Sequence, residues 1–158
     1  MAELIDDFDL KILSALQENG GLSNVELAVK VGLSPSPCLR RVRSLEQRGL
    51  ITGYRATLDR KGLGFGVRAF IEVTLERQSE SATEKFIAKV QRLPEVVSCY
   101  LMIGSLDYLL DVVAVDLDAY SEFTTKRLIG LPGVKEIRSS FVLQEISNKG
   151  VLPLDHLR

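Results

Sequence analysis

The residues best equipped for chemistry lie between Ser34 and Arg55. Ser34, Pro35, Ser36 and Pro37 follow Gly32-Leu33 directly, and Arg40, Arg41, Arg43, Ser44, Arg48 and Arg55 come next. A guanidinium is a fixed fork of donors that pairs bidentately with phosphate oxygens or with the O6/N7 edge of guanine. Serine hydroxyls at a helix start add neutral donors for the same phosphates. The chemistry on offer is non-covalent recognition of double-stranded DNA. Catalysis has little to draw on, because His156 is the sole histidine and stands almost at the chain end. A Ser-His-Asp or Cys-His arrangement would have to use that residue, and a histidine metal cluster is excluded. Cys38 and Cys99 have no metal-ligand spacing and read as reduced thiols of a cytoplasmic protein. No catalytic residue, metal ligand or cofactor is assigned.

Two helices must carry the arginine cluster. Ser23-x-x-Glu26 is a capping box that opens one helix, with Val25, Leu27, Ala28 and Val31 expected on its buried side and Gly32 as the turn. The next helix begins at Pro35, with Ser34 as its cap. At 100° per residue Leu39, Val42 and Leu45 form its inward stripe, and Cys38 lies close to that stripe. Ser36, Pro37, Arg40, Ser44 and Gln47 then face outward, flanked by Arg41 and Arg43. This is the pattern of a helix-turn-helix, which presents one rigid helix end to a DNA groove. An earlier helix runs from Asp6 or Asp7 to about Glu18, with Phe8, Ile12, Leu13 and Leu16 at helical spacing. Residues 50–58 have short strand-like character, as in a winged version of the motif.

Charge supports this division. The net charge is −1, yet residues 34–61 hold seven cationic side chains against two anionic ones, while residues 1–33 hold two against six. A locally basic segment binds phosphates whatever the overall charge. The other reading of such a run, a solvated helix face, leaves its coincidence with the turn signature unexplained. No apolar run approaches the ~20 residues needed to span a bilayer, so no membrane role is expected.

Beyond Gly62-Leu63-Gly64-Phe65-Gly66 the period becomes two. Val67, Ala69, Ile71, Val73 and Leu75 alternate with Arg68, Phe70, Glu72, Thr74 and Glu76, which predicts a strand. A capping box, Ser81-x-x-Glu84, opens a helix. Strands are predicted over Val96–Ile103, Tyr108–Val115 and Val134–Ile146, with a helix from Asp118 to about Ile129. The order is β-α-β-β-α-β. Leu93-Pro94-Glu95-Val96 and Leu131-Pro132-Gly133-Val134 repeat 38 positions apart, each linking a helix to a strand. The expected fold is therefore α+β: a winged-helix-like helix-turn-helix in residues 1–58, a linker at 59–66, and a ferredoxin-like sandwich in 67–158. The helix-free sheet face would carry Phe70, Tyr100, Met102, Leu109 and Val113, which predicts cover by a second subunit.

These motifs resemble the Lrp/AsnC (leucine-responsive, "feast/famine") family of transcription regulators. The resemblance rests on Ser23–Leu27, on Val31–Cys38 with its Ser-Pro-Ser-Pro-Cys run, and on Arg41-Val42-Arg43-x-Leu45-Glu46. It continues through Gly49-x-Ile51-x-Gly53-Tyr54, Gly104–Leu110 and Leu131–Val134. It implies a DNA-binding homo-oligomer, a dimer and often an octamer, with a small amino acid such as leucine or methionine bound between subunits. The family's ligand site falls on Gly104, Ser105, Leu106, Asp107 and Tyr108. Many members carry an acid where this chain has Ser105. Turn amides can serve the ligand carboxylate. Asp107 either accepts from the ammonium or caps the turn. Ser139 and Ser140 either complete the pocket or are ordinary strand serines. The rival to an effector-controlled regulator is an architectural DNA-binding protein without a ligand.

Overall fold

The computed structural model describes residues 5–76, 80–148 and 150–157, and for residues 80–82 the backbone alone. The chain divides into two compact units, Met1–Thr57 with Ser147–Arg158, and Leu58–Ile146. The final residues, expected with the second domain, thus pack with the first. Gln17 holds them there. Its side-chain amide donates to the Leu152 carbonyl at 3.3 Å and accepts from the Leu152 N–H at 2.6 Å.

In the first unit α1 spans Asp7–Glu18, α2 Asn24–Val31 and α3 Pro35–Gln47. Asp6 caps α1, taking the Phe8 and Asp9 amides at 2.9 Å each. The Ser23–Glu26 box caps α2 as expected. Gly32 ends that helix in the left-handed region, φ 75°, where a side chain would be strained. Ile12, Ala15, Leu27, Ala28, Val31, Cys38 and Leu45 form the core. Two inward assignments fail: Val25 is 60% exposed and Leu39 38% exposed. Cys38 takes the place expected for Leu39, because three short helices enclose only a narrow stripe of each. Burial also pushes the Cys38 thiol's pKa up, so it packs as an apolar group. Residues 52–57 form neither helix nor ladder and are exposed; among the described residues of this unit there is no strand to pair with them.

The second unit is one antiparallel sheet with helices on one side. β1 is Val67–Leu75, β2 Val96–Leu101, β3 Tyr108–Ala114 and β4 Val134–Phe141, in the order β2-β3-β1-β4. Helix α4 runs over Glu80–Val90, so Ser81 falls inside it. The expected capping box there involves side chains outside the described residues. Helix α5, Leu117–Glu122, continues as a π-helix over Phe123–Leu128. Ala69, Ile71, Val73 and Leu75 meet Phe86, Val90, Tyr120, Phe123 and Leu128 in the core. β4 stops five residues before the expected Ile146, once its partner β1 runs out at its other end.

Among the described residues of this unit, the helices pack on one side of the sheet and none lies over the other. Pairing of Phe70 with Asp111, Glu72 with Leu109, and Tyr100 with Leu109 puts these side chains on that one face. Tyr100 is 52% exposed and Met102 38%. Near the start of β1, Arg68 grips Asp111 bidentately, at 2.9 and 2.8 Å, and reaches Glu145 at 2.6 Å.

Candidate nucleic-acid interface and effector loop

Helix α3 begins with unusual chemistry. Ser34 has N-cap backbone geometry, φ −79° and ψ 156°, but its side chain makes no capping bond. The reason lies in the sequence: an N-cap oxygen normally takes the N2 or N3 amide, and N3 here is Pro37, which has none. Pro35 at N1 lacks an amide too, and Cys38 N–H already donates to the Ser34 carbonyl at 3.2 Å. Of the amides that a helix start leaves free, only that of Ser36 remains here. The donors at this helix end are the Ser36 amide and the hydroxyls of Ser34 and Ser36, both of which are exposed residues. Asn24, at the start of α2, fixes the approach by donating from Nδ2 to the Pro35 carbonyl at 2.8 Å.

The arginines separate into two sets. Arg40 and Arg43 are exposed and make no ion pair among the described residues, and Arg55 is exposed on the segment after α3. Arg41, expected to grip phosphate, is instead held at 2.8 Å from Asp9 and 2.7 Å from Asp6. Its pKa rises through the Asp9 bond first, then through Asp6. Arg48, expected in the same role, lies 4.0 Å from Asp9. Ser44 is half-buried rather than outward. The sequence reading missed Asp9. A helical projection carries the signal, since Asp9 falls three residues before the buried Ile12 and so on the core side of α1. It also missed Glu46, which accepts from the Tyr54 hydroxyl at 3.0 Å and ties the extended segment to α3.

The loop between β2 and β3 is equally specific. Gly104 has φ 147°, a conformation other residues avoid, and opens the turn. Ser105 is exposed and Leu106 half-buried. Asp107 is engaged: Oδ2 accepts the Leu75 amide at 2.7 Å, its own N–H donates to the Val73 carbonyl at 3.0 Å, and its carbonyl takes the Met102 amide at 2.9 Å. Of the two roles open to Asp107, loop anchoring is what its bonds describe. Tyr108 points inward, 2% exposed, with its ring centroid 4.7 Å from that of Phe86. Ser139 and Ser140 diverge, because neighbours on a strand face opposite sides. Ser139 accepts from the Tyr120 hydroxyl at 2.5 Å on the helix side, whereas Ser140 pairs with Phe70 on the open face. The structure therefore does not bring the two serines into one pocket.

A helix-turn-helix joined to a ferredoxin-like sandwich with an exposed sheet face defines a regulator of the DNA-binding, ligand-responsive class. Comparison with known proteins agrees along both halves. A model described as winged helix-turn-helix DNA-binding matches residues 5–52, and the Lrp/AsnC ligand binding domain matches residues 68–152. The chain is 43% identical over 148 residues to the leucine-responsive regulatory protein of Salmonella typhimurium, covering 94% of this chain and 90% of that one. A transcriptional regulator from Neisseria meningitidis, solved as a complex with L-Met, superimposes with a TM-score of 0.93 at 46% identity, covering 97% of this chain and 99% of the other. AsnC of Escherichia coli gives 0.82 at 30% identity, covering 92% and 97%. The chain belongs to the Lrp/AsnC family of transcription regulators, DNA-binding proteins with an amino-acid ligand domain rather than enzymes. Among the described residues, no helix is long and apolar enough to cross a membrane.

Proposed function

We propose that α3 enters the major groove of duplex DNA, with Arg40 reading a base edge and Arg43 gripping a phosphate. Ser34, Ser36 and the Ser36 amide meet the backbone at the helix start, where the positive end of the helix dipole adds attraction. Pro35 and Pro37 fix that end with little entropy to lose. Arg55 contacts the phosphates from the following segment. The observation that carries this reading is that Arg40 and Arg43 are exposed and make no ion pair among the described residues, while Arg41 on the same helix is held by Asp9 and Asp6.

The effector in this reading is an apolar amino acid, methionine or leucine, seated at Gly104–Leu106 and completed by a neighbouring copy of the chain in the cytoplasm. Support comes from the relative solved with L-Met. Because Ser105 carries no charge, the ligand's ammonium takes its acceptors from loop carbonyls, from the neighbouring copy, or from the Asp107 carboxylate, whose acceptor capacity exceeds the one bond to the Leu75 amide. Two copies meet across the open sheet face, which buries Phe70, Tyr100 and Met102; higher assembly to octamers then links several DNA-binding units. A ligand shared between copies changes assembly, and by reciprocity changes DNA occupancy.

The test is a binding titration on a selected and a random duplex. Arg40→Ala should lose about 1–3 kcal/mol on the selected sequence and far less on the random one, whereas Arg43→Ala should weaken both alike. Equal losses for both variants on both duplexes would remove Arg40 from the base edge.

A further inference from the structure

We infer that Asp9 is a specificity-determining residue that acts through Arg41, withholding it from DNA so that α3 presents Arg40 and Arg43 alone. This rests on α3 being the helix that reads DNA. The side chain of Asp9 is only 9% exposed, and it sits between two arginines of α3 and its C-terminal end. Its Oδ1 accepts from Arg41 Nη1 at 2.8 Å, and its Oδ2 lies 4.0 Å from Arg48 Nη1. Oδ2 also takes the Asp6 amide at 3.4 Å, while Asp6 in turn holds the Phe8 and Asp9 amides and Arg41. The carboxylates are thereby fixed by the cap of α1, and the guanidinium comes to them. The Arg41 guanidinium also lies 5.5 Å from the Phe8 ring centroid, so carboxylates and an aromatic face both hold it.

The consequence follows from what Arg41 would abandon to reach a phosphate. Leaving Asp9 takes the close ion pair from a buried carboxylate and leaves it only the Asp6 amide and the more distant Arg48, which is costly for a buried charge. A surface phosphate contact returns only a salt-screened attraction and counterion release. The pair therefore persists on DNA. Asp9 thus caps the number of sequence-blind contacts, which favours selected sites over random DNA.

The experiment measures duplex affinity of the intact chain against salt concentration, on selected and random sequences. Each phosphate contact contributes about 0.9 to the slope of log affinity against log salt. Arg43→Gln should flatten the slope by about that amount per bound subunit, whereas Arg41→Gln should leave it at the wild-type value. Because Asp6 also pairs with Arg41 at 2.7 Å, Asp9→Asn is made in an Asp6→Asn background; relative to Asp6→Asn alone it should free Arg41, steepen the slope by about 0.9 per bound subunit, and lower the selected-to-random affinity ratio. Should the Arg41→Gln or the Asp6→Asn/Asp9→Asn protein fail to fold, the double variant Asp9→Asn/Arg41→Gln removes both charges together; a wild-type slope supports the inference and a flattened one overturns it. Equal flattening by Arg41→Gln and Arg43→Gln would overturn it, as would an Asp6→Asn/Asp9→Asn protein whose slope and ratio match those of Asp6→Asn. A wild-type chain with no salt-dependent binding is a different result, which would strike at the DNA-reading role of α3 itself.

Discussion

Replacing Asp107 by alanine should destabilise the second unit whether or not an effector is present. The carboxylate receives the Leu75 amide at 2.7 Å, and Leu75 is only 5% exposed. Deleting the acceptor removes a charge-assisted bond and leaves a buried donor without a partner, together about 2–3 kcal/mol. For a unit the size of Leu58–Ile146, each kcal/mol moves the melting temperature about 4–8 °C, so the expected fall is about 10–20 °C. Asp107→Asn keeps a neutral acceptor and should lose about half as much. Thermal unfolding followed by circular dichroism gives the size, and hydrogen exchange at the Leu75 amide gives the place. If Asp107 instead served only the ligand's ammonium, the variant would melt like the wild type without ligand and lose just the ligand-induced rise. That pattern, with the Leu75 amide still protected, would refute the anchoring role.

Phe70→Glu should turn the assembled protein into monomers by analytical ultracentrifugation while the far-ultraviolet spectrum stays unchanged. An unpaired carboxylate buried between copies costs several kcal/mol, at least about a hundredfold in association; an unchanged mass would show that the open face is not the contact. Acid should loosen the first unit through Asp6, whose carboxyl the Asp9 amide, Arg41 and the Phe8 amide hold below its ordinary range. Its folded value is depressed, so the stability it adds is present above the unfolded value of about 3.9 and is lost as pH falls through the folded one. Asp6→Asn should therefore flatten the pH dependence of unfolding below about pH 4, and an unaltered profile would exclude this contribution.

The elements were legible because their signals are local. Ser23–Glu26 states a helix start in four residues, Val67–Leu75 states a half-buried strand by alternation, and Gly32 states the turn between two helices. What escaped depends on which atoms meet at a distance in sequence. Arg41 and Arg48 look like their neighbours on a helical wheel, and only the packing of α1 against α3 brings Asp9 to them. Ser139 and Ser140 read as a pair along the chain, yet the strand pleat sends one to Tyr120 and the other to the open face. Asp107 was ambiguous for the same reason, since the Leu75 amide it takes is 32 residues away. The missing amides of α3 were readable all along, because Pro35 and Pro37 declare them.

The central claim is that α3 holds duplex DNA electrostatically and that an amino acid bound in the other unit alters that hold. A fluorescence-anisotropy titration of a labelled duplex with the intact chain, across a salt series and with or without saturating L-methionine or L-leucine, addresses both parts at once. Affinity should fall steeply with salt, and the dissociation constant should shift when the effector is added. Binding indifferent to salt, or a dissociation constant that neither amino acid moves, would contradict it.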